Sequence, residues 1–130
     1  MLYTHGIKTL LENDSRVVSE VGSKIYPIDA PSGTALPFIT YEAVSTTVIH
    51  SKDSPEYKQS RVEVVVYAGT YALACDIGNK VRTALQRKNI KDVVRGYEID
   101  KIFIQDEEVE HLEDPRRYAF VLEVEAFVIM

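Results

Sequence analysis

The sequence is poor in the residues that build covalent or cysteine-based metal sites. It has one cysteine, Cys75, and no tryptophan among 130 residues. A single cysteine excludes an internal disulfide and a zinc site built on several cysteines. Cys75 lies within a predicted helix beside an apolar stripe, which is typical of a small buried side chain. No apolar run approaches the roughly 18 residues that a membrane helix needs, and the start of the chain does not read as a signal peptide.

The chain also lacks an excess of basic residues. Its 15 Lys and Arg against 20 Asp and Glu give a formal net charge of -5. General nucleic-acid binders usually carry a basic surface, so we expect no sequence-specific binding to nucleic acid. With 45% hydrophobic and 27% charged residues, the composition is that of an ordinary globular protein, and 130 residues predict a single domain over 1–130.

No stretch carries a convincing catalytic motif. The turn at Gly69 between a predicted strand and helix lacks the glycine-rich loop and the lysine of a phosphate-binding loop. His111 stands among carboxylates that are conceivable metal partners, namely Glu108, Glu110, Glu113 and Asp114. A solvated charged turn is the more common origin of such a run, because buried charge is expensive. We therefore expect no enzymatic activity and no cofactor. The alternative is a small metal-binding or enzymatic domain that uses His111.

The stretch from Arg61 to Gln86 organises the predicted fold. Residues 61–68 are dense in β-branched and aromatic side chains, which predicts a strand. Gly69 breaks the strand, and the hydroxyl of Thr70 is suited to cap the helix that follows. That helix has one apolar stripe, made of Ala74, Ile77, Gly78, Val81 and Leu85. Because only two residues join strand and helix, the helix must fold back onto its own sheet, and we expect the core there.

The remaining elements follow from hydrophobic periodicity. They are a helix over Leu2–Leu11, a further helical turn at Val17–Val21 closed by Gly22, a short extended piece at Lys24–Ile28, and strands over 38–48, 97–109 and 118–130. A polar stretch, Ile49–Lys58, is predicted to be a long hairpin loop. This order predicts an α+β domain with a mostly antiparallel sheet and helices packed on one face.

Several segments carry a family resemblance. They are KIYP at 24–27, APSGTALPFITY at 30–41, RVEVVVYAGTY at 61–71, residues 74–85, and an acidic turn followed by a tyrosine-rich strand at Arg117–Phe127. In this order they resemble the tail completion proteins of long-tailed bacteriophages and prophages, also called tail terminator or tail-to-head joining proteins. The resemblance covers nearly the whole chain.

That resemblance implies a structural role rather than an enzymatic one. It implies a hexameric ring that caps the tail tube, ends its polymerisation and joins the tail to the head. The implied partners are other copies of the chain, the tail tube protein and the head–tail connector protein. The implied location is the virion tail, after assembly in the cytoplasm of a bacterial host. A head-closure or neck subunit of the same particle is the alternative.

Three groups of residues are candidate assembly surfaces. The polar loop offers Ser51, Lys52, Asp53 and Glu56; a basic patch comprises Lys80, Arg82, Arg87 and Lys88; and an acidic patch comprises Asp106, Glu107, Glu108 and Glu110. Cyclic homo-oligomers use head-to-tail contacts, so patches of opposite sign are expected to help set the register between neighbours. The loop is expected to serve assembly, so shortening it should leave thermal stability nearly unchanged.

Overall fold

The computed structural model describes residues 3–49, 57–113 and 116–129. These residues form three helices and six strands. In chain order they are α1 (Thr4–Glu12), α2 (Ser15–Val21), β1 (Ile25–Pro27), β2 (Phe38–Ile49), β3 (Tyr57–Ala68), α3 (Tyr71–Leu85), β4 (Ile90–Asp92), β5 (Tyr97–Leu112) and β6 (Arg117–Ile129).

The strands form one sheet in the order β1-β2-β3-β6-β5-β4. Four of the five pairings are antiparallel, and β1 pairs with β2 in parallel. The α+β class is therefore confirmed, and the sheet is mixed. The parallel pair arises because the segment after β1 returns the chain to the start of β2, so both strands run the same way. The sequence showed β1 only as a short extended piece.

The unit formed by β3 and α3 is the one that the sequence predicted. The Thr70 hydroxyl accepts a hydrogen bond from the Leu73 N–H at 3.2 Å, which caps the helix. Ala74, Ile77, Val81 and Leu85 are all fully buried. The helix packs against β3, β5 and β6, so its apolar stripe faces the centre of the sheet. The core forms at this junction.

The other two helices do not form the expected layer on one face of the sheet. α1 contacts β1, β2 and β4 as well as α3, whereas α2 packs mainly on α1 and α3. The Asp14 carboxylate caps α2 by accepting from the N–H groups of Arg16 at 3.0 Å and Val17 at 3.3 Å. Desolvation opposes ionisation of Asp14, but hydrogen bonds from Arg16 and Val17 outweigh it and lower its pKa. The expectation that all helices pack on one face of the sheet is thus not borne out for α2, which contacts helices more than strands.

A small hydroxyl cluster joins α1 to the far half of the β2–β3 hairpin. The hydroxyl of Tyr3 lies 2.6 Å from the Ser60 hydroxyl and 2.8 Å from the Thr46 hydroxyl. Tyr3 is 2% exposed and Ser60 is fully buried, so these polar groups satisfy one another inside the protein. Thr46 follows a bulge between Ala43 and Ser45, which explains why the alternation in the sequence blurs at Val44.

The predicted polar loop, Ile49–Lys58, is wrong at both of its ends. Ile49 ends β2 and pairs with Tyr57, which begins β3, so both ends of the predicted loop are strand. Residues 50–56 lie outside the described residues. Hydrophobic periodicity did not reveal β4, because three residues are too few to show a period. β4 pairs with the start of β5.

Alternation along β3 and β6 gives the sheet two chemically different faces. The core face carries Val62, Val64 and Val66 of β3, paired in register with Val124, Leu122 and Phe120 of β6. The second face carries the residues between them, which are Arg61, Glu63, Val65, Val121, Glu123 and Glu125. Residues of β2 and β5 belong to one face or the other through their pairing with these two strands.

Candidate assembly surfaces

His111 forms a stacked surface contact. Its ring lies 4.9 Å from the Tyr118 ring at an interplanar angle of 26°, and its Nε2 is 3.4 Å from the Glu113 carboxylate. Within residues 3–49, 57–113 and 116–129, no group of three or more His, Cys, Asp or Glu is placed to hold a metal ion. Asp114, the remaining partner considered, lies outside the described residues. In that same part of the chain, no helix is long and apolar enough to cross a membrane.

Strand alternation divides the predicted acidic patch between the two faces. Asp106 and Glu108 pair with Glu123 and Val121, so they lie on the second face, and Glu110 follows on the same side. Glu107 pairs with Leu122 of the core face and points toward α3. There its carboxylate forms an ion pair with Arg82, whose Nε is 3.0 Å away. The four acidic residues are therefore not one patch.

The sheet register builds a different acidic feature, which spans four strands. Glu42 of β2 is directly opposite Glu63 of β3, Glu63 is opposite Glu123 of β6, and Glu123 is opposite Asp106 of β5. We call these four residues the acidic row. Like charges directly opposite in a sheet are destabilising. Arg61 offsets part of this charge, because its Nε donates to the Glu123 carboxylate at 2.8 Å.

More negative charge lies beside the acidic row on the second face. Glu63, Asp106, Glu108, Val121 and Glu123 line a shallow depression of about 120 Å³. A hydrogen bond with Glu110 and its negative charge raise the pKa of Glu108, with Asp106 and Glu63 adding to the effect. A raised pKa means that one more negative charge is unfavourable at this position. The second face therefore concentrates negative charge in the middle of the sheet.

The four residues of the predicted basic patch also have different environments. Lys80 donates to Glu20 of α2 and to Asp76 of its own helix, both at 3.0 Å. The hydrogen bond to Glu20, followed by that to Asp76, raises the pKa of Lys80. Arg82 pairs with Glu107, as described above. Lys80 and Arg82 are therefore engaged within one protomer.

Arg87 and Lys88 lie just beyond the end of α3. Both are exposed, and neither takes part in the ion pairs formed among the described residues. Arg87 has a φ of 59°, and its N–H donates to the Ile102 carbonyl at 2.8 Å, which ties the end of the helix to β5. Within the predicted basic patch, Arg87 and Lys88 are therefore the exposed side chains that form no ion pair among the described residues.

The polar loop residues Ser51, Lys52, Asp53 and Glu56 lie outside the described residues, so their assembly role stays a prediction. Beside that loop, β2 exposes three apolar side chains. Val44, Val48 and Ile49 are 54%, 40% and 46% exposed. Sequence reasoning missed them as a surface because it assigned Ile49 to the loop, and it placed Val44 and Val48 in a strand without identifying that strand's exposed apolar side chains.

Sequence reasoning also missed the acidic row. Its signal was present, because Glu63 interrupts a valine-rich strand, and Glu123 alternates with apolar residues in β6. Their meeting depends on strand order and register, which bring positions 42, 63, 106 and 123 together. Neither quantity follows from periodicity alone.

Comparisons with known proteins agree with this fold. Residues 6–129 match the family described as tail completion protein gp17. Among solved structures, a chain of the virion of a native gene transfer agent (GTA) particle superposes with a TM-score of 0.74 at 15% sequence identity, over 95% of this chain and 92% of that one. At such low identity the likeness concerns the fold. No curated protein sequence gives a match.

Proposed function

This chain belongs to the tail completion protein gp17 family, and from that premise we propose that it forms a ring that caps the tail tube, ends its polymerisation and joins the tail to the head. The observation that carries the proposal is the family match, which spans residues 6–129 and so nearly the whole chain. The fold shared with a chain of a phage-like particle supports the same conclusion. The role is structural, in the tail of a virion.

The proposed ring is a hexamer of this chain. Its partners are the tail tube protein on one side and the head–tail connector protein on the other, and it assembles in the cytoplasm of the bacterial host. A cyclic ring places a different patch of each copy against the next. Arg87 and Lys88 are available for such contacts because they have no ion pair among the described residues. Charge at the rim of an interface acts mainly on specificity and on association rate.

The second face of the sheet is the surface that we assign to the bore. The core face packs against α3, so it is not accessible to DNA. The acidic row crosses the middle of the second face from β2 to β5. Repeated around a ring, this charge repels DNA phosphates and keeps the passing genome from adhering to the wall. In a bore, the acidic row has a role that offsets its cost to the stability of the sheet.

Electron microscopy of particles made without this chain tests the proposal. We expect tail tubes of irregular, excessive length together with heads that have no tail, because nothing stops the tube or joins it to the head. Adding back purified protein should restore tubes of uniform length. Normal particles in its absence would contradict the proposal. Tubes of normal length beside tailless heads would favour the alternative of a neck subunit.

A further inference from the structure

Two stretches at opposite edges of the sheet have a strand on one side alone, among the residues that the structure describes. β1 pairs with Ile39–Tyr41 of β2, and the later residues Ser45–Ile49 pair with β3 only. β4 pairs with Tyr97–Ile99 of β5, and the later residues Asp106–Leu112 pair with β6 only. We call Ser45–Ile49 the β2 open edge and Asp106–Leu112 the β5 open edge.

The backbone of the β2 open edge presents hydrogen-bonding groups outward at Val48. Before the bulge, the Ile39 N–H donates to the Lys24 carbonyl, and the Tyr41 carbonyl accepts from the Ile28 N–H. The backbone N–H and carbonyl groups of odd-numbered residues in this part of β2 therefore point away from β3. The extra residue at the bulge between Ala43 and Ser45 inverts this parity. The N–H and carbonyl of Val48 therefore point away from β3 and toward the edge.

The β5 open edge follows the same logic. The Ile102 carbonyl accepts from the Arg87 N–H, and the Ile104 N–H donates to the Gln86 side chain at 2.9 Å. Residues at the end of α3 therefore form hydrogen bonds with the outward backbone groups of β5 as far as Ile104. A bulge between Ile104 and Asp106 again inverts the parity. The backbone groups of Glu107 and Val109 then point outward, beyond the cover that α3 provides.

The side chains distinguish among the ways in which two copies can pair their edges. The β5 open edge is acidic, so pairing it with itself would bring carboxylates together. The β2 open edge has no charged residue, and its Val48 and Ile49 are partly exposed, so it lacks the charge that usually protects a sheet edge. Pairing β2 with β2 gives a two-fold dimer, which does not extend into a ring. Pairing β2 with β5 is head-to-tail.

We propose that neighbouring copies in the ring join by strand pairing between the β2 open edge of one copy and the β5 open edge of the next. This inference rests on the proposed ring and names the surface that closes it. β2 is connected to β5 through three antiparallel strand pairings, so the two strands run in opposite directions. A neighbour in the same orientation therefore presents β5 antiparallel to β2, and the acidic second faces stay on the same side.

The positions of the two open edges also set the strand tilt. Ile49 aligns with Glu98 through β3 and β6, whereas Phe38 aligns with Glu110, so the open edges lie at opposite ends of the sheet. Placing Val48 opposite Glu107 of the neighbour shifts that neighbour by about six residues, or about 20 Å, per lateral repeat of four strands, or about 19 Å. The strands then tilt by about 45° from the ring axis, close to the roughly 35–45° of closed β-barrels. The shift leaves β1 beside the rest of β2.

A proline substitution tests the backbone contact directly. In Val48→Pro, the N–H that would reach the neighbour is removed, while the ladder with β3 does not use it, so the protomer should keep its melting temperature. The matched control Val48→Thr keeps the N–H and the β-branched shape. We expect Val48→Pro to lose the ring by sedimentation and the ability to cap isolated tail tubes, and Val48→Thr to retain both.

Cysteine cross-linking tests the identity of the partner strand through a product that forms, and so it does not depend on a loss of ring formation or capping. In a Cys75→Ala background, Val48→Cys is combined in turn with Glu107→Cys and Val109→Cys. Within one protomer these positions are on edge strands separated by β3 and β6, beyond the roughly 7 Å between Cα atoms that a disulfide allows. Oxidation on capped tail tubes should give a ladder longer than a dimer for at least one pair. Each single-cysteine variant should stop at the dimer.

The outcomes separate the edge pairing from the proposed function. The edge pairing would be overturned if Val48→Pro still formed rings and capped tubes. It would also be overturned if, on capped tubes, the double-cysteine variants gave ladders no longer than those of the single-cysteine variants. Either result would leave the proposed function standing. Failure of the unaltered protein to cap tubes would overturn the function itself. A ladder from one double-cysteine pair, with capping lost in Val48→Pro, supports both.

Discussion

The two faces of β3 and β6 come from alternate residues of the same two strands, yet they do opposite things to the fold. On the core face, Val62, Val64, Leu122 and Val124 are completely buried and pack around α3. On the second face, Glu63 and Glu123 face each other across adjacent strands. Burial of apolar side chains stabilises the fold, whereas opposed carboxylates weaken it. The alternation therefore separates the surface that folds the protein from the surface that we assign to DNA passage.

The largest difference between the faces is expected from truncating the core side. Leu85→Ala removes a fully buried side chain of α3 and should lower the free energy of unfolding by about 2–5 kcal/mol. A smaller truncation on the second face, Val121→Ala, removes half-buried methyl groups and should cost less than about 1.5 kcal/mol. Chemical denaturation of both variants measures the two values. Equal losses would remove the energetic distinction between the faces.

A smaller effect of the same origin is expected at Gly78 on α3. Alanine usually favours a helix over glycine by about 1 kcal/mol. Here a Cβ would overlap the Phe120 ring, so Gly78→Ala should instead destabilise the protein by about 1–3 kcal/mol. The double variant Gly78→Ala with Phe120→Leu should recover part of that loss in a double-mutant cycle. If Gly78→Ala were more stable than the parent protein, the Phe120 ring would be able to move and make space for the added methyl group.

On the second face, removing a charge should increase the stability of the protein, which is the opposite effect. Glu63→Gln abolishes repulsion from both Glu42 and Glu123, and should stabilise the protomer by about 0.2–1 kcal/mol at low salt. The gain should shrink at high salt because added ions screen the repulsion. Glu98→Gln is the control, since Glu98 lies 3.8 Å from the cation of Lys91 and should give no gain. Thermal melts at two salt concentrations decide this, and a destabilised Glu63→Gln would contradict it.

The smallest expected effect is a shift in titration at Glu108. Its pKa should lie above the ordinary 4.5, because Glu110 shares a hydrogen bond and adds negative charge. The folded state then binds a proton more readily than the unfolded chain, so this contribution falls as the pH rises from 4.5 through the raised value. Carboxyl NMR should show the midpoint returning toward 4.5 in Glu110→Ala. An unchanged midpoint would mean that Glu110 is not the cause.

Local chemistry was enough to predict the elements in which each residue type has one strong preference. Thr70 as the cap of α3, the helical turn at Val17–Val21 and the burial of Leu85 are all confirmed. These features depend on neighbours within one or two turns, which the sequence displays. The α+β class followed from the order of such elements.

Features that depend on register or on long-range contacts were not predictable in this way. The acidic patch at Asp106–Glu110 is contiguous in sequence, but the strand sends Glu107 to Arg82 and its neighbours to the second face. Lys80 is held by Glu20, which is distant in sequence. The parallel edge strand β1 and the packing of α2 on other helices likewise require tertiary contacts.

The hydroxyl of Tyr3 has a consequence for how the β2–β3 hairpin finds its alignment during folding. A strand that carries a bulge has two neighbouring ways to pair with its partner, and they differ by a slip of one residue. Only the observed alignment puts the Ser60 and Thr46 hydroxyls together within reach of Tyr3. A one-residue slip would move Thr46 away from its position opposite Ser60, and Tyr3 would lose one of the two hydroxyl groups that it contacts. The Tyr3 hydroxyl, at the start of α1, thus favours the observed alignment of a hairpin that is distant in sequence.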